Sequence, residues 1–206
     1  MKKQITFVFF FSLLLLSACQ KQKTEWTAVS GDIVKNRQKS ITFIQGSEEQ
    51  IIDINAEGQF SGQIKNQQGY ATLRYGQYNV LFYVESDKPL SINFDASTFL
   101  KSIAFDGESS TASNYLVEKL LLKQKQGAQL RTLVSKPENE FIEGLNADKA
   151  QMLQLLNSKE GLSKKFIKDE TANVDYEFIS LAKMYEGYHQ YVNKKPNFKV
   201  SDSFND

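Results

Sequence analysis

The chain has 206 residues, of which 41% are hydrophobic and 24% are charged, and its formal net charge is +1 at pH 7. This composition is that of an ordinary globular protein and excludes the collagen-like, coiled-coil and strongly disordered classes. A near-neutral chain without a long basic run also gives no electrostatic reason to expect nucleic acid as a partner. The length allows one domain with an appendage, or two small domains.

Residues 1–18 have the layout of an export signal. Lys2 and Lys3 give a short positive start, and residues 5–16 form a mostly apolar run. A run of about a dozen residues is shorter than the roughly 20 that a membrane-spanning helix needs, but it suits the core of a signal peptide. We therefore predict that residues 1–18 are a signal peptide.

The signal ends in Leu16-Ser17-Ala18-Cys19, which resembles the lipobox of bacterial lipoproteins. The resemblance implies cleavage between Ala18 and Cys19 and attachment of lipid, including palmitate, to the Cys19 thiol. Stable anchoring takes two or more acyl chains, and bacterial lipoproteins carry two or three. The alternative is an ordinary secretory signal with an incidental cysteine.

Lipidation of Cys19 has consequences for the rest of the chain. Cys19 is the sole cysteine, so the exported part would hold no disulfide, no Cys-x-x-Cys and no thiolate metal site. Cleavage removes two of the 25 basic residues and none of the 24 acidic ones, which leaves a net charge of −1. Residues 19–25 are the lipidated cysteine and a polar, flexible tether. We expect a cell-envelope protein that faces the periplasm, anchored to the outer membrane.

Residues 26–107 have the pattern of short β-strands that alternate apolar and polar side chains. The predicted strands are 26–29, 40–44, 50–54, 59–64, 70–75, 80–84, 90–95 and 102–107. About seven or eight strands with turns at roughly 8–12-residue spacing predict an antiparallel β-sandwich. Alternation argues against a parallel sheet buried on both faces.

Residues 108–193 change to a helical period, so the predicted fold class is α+β. We predict about four or five helices from apolar spacing, caps and proline positions. They cover 112–122, a stretch after Pro137, a stretch around Met152 capped by Asn146 or Asp148, a stretch around Phe166, and 174–191. Residues 194–206 form a polar tail.

Two tracts carry a resemblance to a known family. Residues 81–95 contain a strand ending in an acidic turn and a strand ending in Asp, and residues 105–116 contain Phe-x-Gly and then Asn114-Tyr115-Leu116. In this order they resemble the N-terminal β-sandwich and helical region of lipid-anchored, thioredoxin-like disulfide reductases of the TlpA type. Residues 185–191 also resemble the last helix before the thioredoxin domain of that family.

The resemblance implies redox chemistry in a C-terminal thioredoxin domain, where a Cys-x-x-Cys at a helix start lowers the pKa of the attacking thiol. No position of this chain matches that motif, so no catalytic residue is carried over, and we expect neither enzymatic activity nor a cofactor. A truncated gene, an incomplete gene model and a family member that works without the catalytic domain all remain open.

The expected role is therefore a non-catalytic, lipid-anchored periplasmic module that positions or supports a thioredoxin-like thiol-disulfide oxidoreductase. Its expected partners are the membrane, through Cys19, and a protein partner or client. Two alternatives stay open. In the first alternative, the chain is a complete lipoprotein that binds a glycan or peptide through the sandwich. In the second, it is a fragment of an oxidoreductase whose gene continues.

The residue types that carry chemistry are sparse. His189 is the only histidine, which excludes a histidine-based triad or a multi-histidine metal site, and we interpret it as a packing residue. Four acidic residues at turns lack the spacing of a calcium loop, and turn chemistry explains them. They are Asp53, Asp87, Asp95 and Asp106. We predict no metal site.

Three further groups invite a functional interpretation but have a simpler one. Aromatic residues in the strands could form a stacking platform, although cross-strand packing explains them better. They are Tyr70, Tyr75, Tyr78, Phe82 and Tyr83. Gly58, Gly62, Gly69 and Gly76 match no phosphate-binding pattern and indicate turns or bulges. Six lysines are interpreted as solvated helix faces. They are Lys119, Lys123, Lys125, Lys164, Lys165 and Lys168.

Overall fold

The computed structural model of the protein describes residues 25–205. The predicted signal peptide, Cys19 and all but the last residue of the predicted tether lie outside this range. The strands are β1 (Trp26–Val34), β2 (Ser40–Gln45), β3 (Glu48–Asp53), β4 (Gln59–Lys65), β5 (Gly69–Tyr75), β6 (Tyr78–Val84), β7 (Leu90–Asp95) and β8 (Ala104–Asp106). The α-helices are α1 (Phe99–Ser102), α2 (Ser110–Val134), α3 (Glu138–Asn157) and α4 (Lys164–Asn193). The predicted α+β class is confirmed.

The strands form two four-stranded sheets that face each other. The first sheet has the order β4-β1-β7-β8 and the second has the order β3-β2-β5-β6. Side chains alternate along β1 and β2, so one face of each sheet is buried. The inner faces enclose an apolar core that includes Ile41, Phe43, Leu73, Phe82 and Ile92.

One strand pairing differs from an all-antiparallel sandwich. β1 pairs with β7 in parallel, Val29 lying beside Leu90, whereas the other neighbouring strands of the two sheets pair antiparallel within residues 25–205. The chain leaves β1, builds most of the second sheet and returns to the first sheet as β7. A connection of that length allows a parallel partner, which a short hairpin does not.

Helix α2 closes the open side between the two sheets. The Ser113 hydroxyl accepts from the Tyr83 amide (3.0 Å) and donates to the Tyr83 carbonyl (3.3 Å) at the edge of β6. The Asn114 side chain does the same for Phe105 in β8, accepting from its amide (2.9 Å) and donating to its carbonyl (2.8 Å). Two neighbouring helix residues thus replace a missing strand at both sheet edges.

The helices are fewer and longer in the C-terminal segment than the stretches predicted there. Met152 lies inside α3 and Phe166 inside α4, so each of these stretches is part of a longer helix. Asn146 and Asp148 are interior residues of α3 rather than caps, because no proline interrupts the helix and weak local preferences give way to packing. The actual break is near Gly161, whose φ is 78°.

The residues after α4 pack against the helices. α4 ends at Asn193, and Lys194 takes a left-handed conformation. Phe198, Val200 and Phe204 then pack on the core that α2, α3 and α4 share. The stretch predicted as a polar tail therefore contributes apolar side chains to the helical core.

Candidate functional site

A pocket of about 390 Å³ lies where the sandwich meets the helices. The outer face of β5 and β6 forms one wall, and α2 and α4 form the others. Leu81, Leu116 and Leu120 supply apolar surface, and Lys119 and Glu170 lie at its charged end. Apolar walls with a few convergent polar groups are typical of ligand pockets, so this is the candidate functional site.

A buried ion pair joins the three elements around the pocket. Lys119 of α2 is 6% exposed and Glu170 of α4 is 1% exposed. Lys119 Nζ lies 2.9 Å from Glu170 Oε2. The other carboxylate oxygen accepts from the Tyr70 hydroxyl of β5 (2.6 Å) and from Asn173 Nδ2 (3.0 Å). Lys119 also lies 3.4 Å from Glu177 Oε1.

The network shifts the pKa values of Glu170 and Tyr70. Burial works to raise the pKa of Glu170, but hydrogen bonds from Tyr70 and Asn173, together with the Lys119 charge, outweigh it and hold that pKa below its usual range. Burial raises the pKa of Tyr70 far above its usual range, and the hydrogen bond to Glu170 adds to the rise. At neutral pH Glu170 is therefore a carboxylate and Tyr70 a neutral phenol. Neither group is poised to exchange a proton.

A second, smaller pocket of about 200 Å³ adjoins the first between α2, α3 and α4. Lys123 and Glu177 line both pockets, and their ion pair spans 3.0 Å from Nζ to Oε2. Met152 and Phe178 line the apolar part of the smaller pocket, and burial raises the pKa of Asp148 beside them. The ion pair thus separates two apolar spaces along one groove.

The four acidic turn residues are distributed over separate sites. Asp95 binds Lys35 Nζ (2.8 Å) and accepts from the Ser97 amide (2.7 Å), and these contacts lower its pKa to about 2. Asp87 has a φ of 63° in a turn. Asp106 accepts from Asn93. In residues 25–205 no group of three or more histidine, cysteine, aspartate or glutamate residues is placed to hold a metal ion.

Asp53 lies apart from the other three acidic residues, beside an open polar pocket on the first sheet. This pocket has a volume of about 500 Å³ and includes Asp32 and Ser61. Asp32 accepts a hydrogen bond from Gln59 Nε2 at 2.9 Å. Of the two acidic residues that line this pocket, Asp32 therefore already has a protein partner.

His189 is buried among packing partners. Its Nδ1 lies 3.0 Å from the Val134 carbonyl, which can only accept, so Nδ1 carries the proton. Nε2 then accepts from Asn193 Nδ2 at 2.9 Å. The ring stacks on Phe198 with centroids 4.1 Å apart. Both nitrogens are satisfied, as a packing residue requires.

The strand aromatics do not form a shared platform. Tyr75, Phe82 and Tyr83 are buried, and Tyr70 binds Glu170. Tyr78 is partly exposed and stacks on Phe99 of α1. The packing interpretation of these residues therefore agrees with their positions.

The glycine and lysine interpretations each need one revision. Gly58 and Gly76 have positive φ in turns, and Gly69 has a positive φ as the first residue of β5, whereas Gly62 lies inside β4. A Cβ at Gly62 would lie 2.6 Å from the Ile52 side chain, so this glycine permits close packing between strands.

The prediction that Lys119 is solvated is wrong, because its side chain reaches the buried Glu170 carboxylate. The other five lysines of that group are exposed, as predicted. Sequence analysis also missed Glu170 as a member of the site.

The comparisons with known proteins add little to this geometry. No protein-family model matches the chain, and no curated protein is similar to it. Among solved structures, a candidate cell adhesion protein from Bacteroides ovatus is similar at 11% identity and a TM-score of 0.26, over 41% of this chain and 43% of that one. A similarity of this size supports no argument about fold or function. Within residues 25–205 no helix has the length and apolar character needed to cross a membrane.

Proposed function

We propose that this chain is a non-catalytic, lipid-anchored module that faces the periplasm and positions or supports a thioredoxin-like thiol-disulfide oxidoreductase. The observation that carries the proposal is the placement of the only cysteine. Cys19 follows Leu16-Ser17-Ala18 directly after an apolar signal core, and no second thiol is present to form a redox pair.

The junction between sandwich and helices supports a positioning role. The Tyr70–Glu170–Lys119 network ties β5, α4 and α2 together, and Ser113 and Asn114 fix α2 to both sheets. Buried, satisfied polar networks favour one arrangement over others. A module that holds a partner at a set place relative to a membrane needs such a rigid junction.

Two assays test the proposal. Labelled palmitate should be incorporated into the wild-type chain and not into Cys19→Ala, and only the wild type should sediment with membranes. Purified residues 20–206 should reduce insulin disulfides no faster than dithiothreitol alone. Labelling that persists in Cys19→Ala, or reductase activity of the purified chain, would contradict the proposal.

The 390 Å³ pocket favours one second candidate, a lipoprotein that binds a glycan or peptide. Calorimetry and a glycan array would detect such a ligand, and Leu120→Trp, which fills the pocket, should abolish its binding. An exposed substitution elsewhere, Lys39→Ala, is the matched control. Reading the DNA after the Asp206 codon tests the third possibility, because a continuing frame with Cys-x-x-Cys would identify an oxidoreductase.

A further inference from the structure

From Tyr176 to Tyr191, helix α4 exposes several large apolar side chains. Tyr176 and Tyr191 are 74% and 81% exposed, and Ile179, Met184 and Tyr188 between them are each more than 40% exposed. Their spacing spreads them over the half of the helix that faces away from the core, along roughly 22 Å. Single exposed apolar residues are normal, but several large ones on the exposed half of one helix indicate an interaction surface.

The charges along α4 are distributed unequally. Each of its five acidic residues is held in an ion pair with a lysine. In contrast, five exposed lysines form no ion pair with any of the described residues. They are Lys164, Lys168, Lys183, Lys194 and Lys195. The exposed side of α4 therefore presents apolar side chains with unpaired positive charge at both ends and in the middle.

This charge pattern disfavours a second copy of the chain as the occupant. In an antiparallel pair of α4 helices, Lys164 and Lys168 of one copy would face Lys194 and Lys195 of the other. In a parallel pair each lysine would face its own equivalent. Like charges at close range cost free energy in either orientation.

We propose that the side of α4 formed by Tyr176, Ile179, Lys183, Met184, Tyr188 and Tyr191, here called the tyrosine–lysine face, lies on the surface of an anionic phospholipid bilayer. Tyrosine rings favour the boundary between headgroups and acyl chains, and lysines bind the phosphates above it. The surface contact goes beyond attachment through Cys19 and would set the orientation of the module.

The position of the chain entry is compatible with this orientation. Trp26, at the start of β1, lies under Lys65 at the end of β4, and Lys65 Nζ is 4.3 Å from the indole centroid. A few residues after Lys65, Tyr70 near the start of β5 binds Glu170 of α4. The strands thus begin at the end of the sandwich that contacts α4. Residues 20–25, fully extended, reach roughly 20 Å, so a lipid on Cys19 would keep this end near the bilayer.

The test uses the mature chain, residues 19–206, with Cys19→Ser so that no lipid is attached. It contains every described residue, and its result is independent of lipidation. We expect sedimentation with vesicles of equal parts phosphatidylcholine and phosphatidylglycerol, little with phosphatidylcholine alone, and weaker binding in high salt. Tyr188→Asp with Tyr191→Asp should lower the partition coefficient by about tenfold or more, and Lys183→Ala by about fivefold.

Matched controls lie on other surfaces. Ile51→Asp changes an exposed apolar residue of β3, and Lys39→Ala removes an exposed charge, and both should bind vesicles as the parent chain does. Circular dichroism checks that each variant is folded. The proposal is overturned if the parent chain does not bind anionic vesicles. It is also overturned if the Tyr188→Asp, Tyr191→Asp double variant binds them as tightly as the controls do. If sedimentation equilibrium shows that the parent chain is a dimer and that the same substitutions dissociate it, the face mediates self-association and the proposal is overturned.

Discussion

Glu170→Ala is the substitution that tests the junction between sandwich and helices most directly. It leaves the Lys119 ammonium buried, with Glu177 at 3.4 Å as the one remaining anionic partner among the described residues, and removes the acceptor of Tyr70 and Asn173. Removing one partner of a buried ion pair costs about 3–5 kcal/mol. Because domains are stable by only about 5–15 kcal/mol, the loss is a large fraction of the total.

Guanidinium unfolding followed by far-UV circular dichroism measures this effect. With a slope of about 4 kcal/mol per molar denaturant, a loss of about 4 kcal/mol moves the midpoint down by about 1 M. The pH dependence has a defined sign, because the pKa of Glu170 is lowered in the folded state. Its stabilisation is fully present above the unfolded pKa of about 4.3 and is lost as the pH falls through the folded value.

The neighbouring residue provides the control. Asp169→Ala removes an exposed pair with Lys165 on the same helix, which should cost below about 0.5 kcal/mol. Replacing both buried charges, as Lys119→Met with Glu170→Leu, should recover most of the loss because no uncompensated charge remains. If Glu170→Ala moves the midpoint no further than Asp169→Ala, the ion pair does not hold the junction together.

Three other predictions follow from single contacts. Asn114→Leu leaves the amide and carbonyl of Phe105 at the edge of β8 without their side-chain partner. It should lower the free energy of unfolding by about 2–3 kcal/mol in the same assay. Phe198→Ala should lower stability by about 2 kcal/mol and speed amide exchange in the last turns of α4, where the ring is packed. NMR titration should give Asp95 a pKa of about 2, and Lys35→Ala should raise it towards the ordinary value, since Lys35 is the main cause of the shift. If the pKa of Asp95 in Lys35→Ala stays at its wild-type value, another contact causes the lowering.

The strands were predictable because their signal is local. Every one of the eight predicted strands has a counterpart in the sheets, since each buries alternate residues against one core. The parallel pairing of β1 with β7 was not predictable, because it depends on contacts such as Val29 with Leu90 between distant parts of the chain. The helix count shifted for a similar reason, as α3 and α4 gain their continuity from packing rather than from caps.

The candidate site was missed because charged residues on helices are ordinarily solvated. The signal was nevertheless present in the spacing. Lys119 lies between Leu116 and Leu120 on the apolar side of α2, and Glu170 is four residues from both Phe166 and Val174 on the apolar side of α4. A lysine and a glutamate that each interrupt an apolar stripe are candidates for a buried pair.

The central place of β1 in the first sheet has a consequence for how the chain matures. β1 lies between β4 and β7, so the earliest strand to emerge has two partners that are made later, the second ending at Asp95. One edge of β1 is open until β4 is made, and the other stays open, and able to pair with other chains, until β7 is made. Such delayed, non-local pairing slows folding.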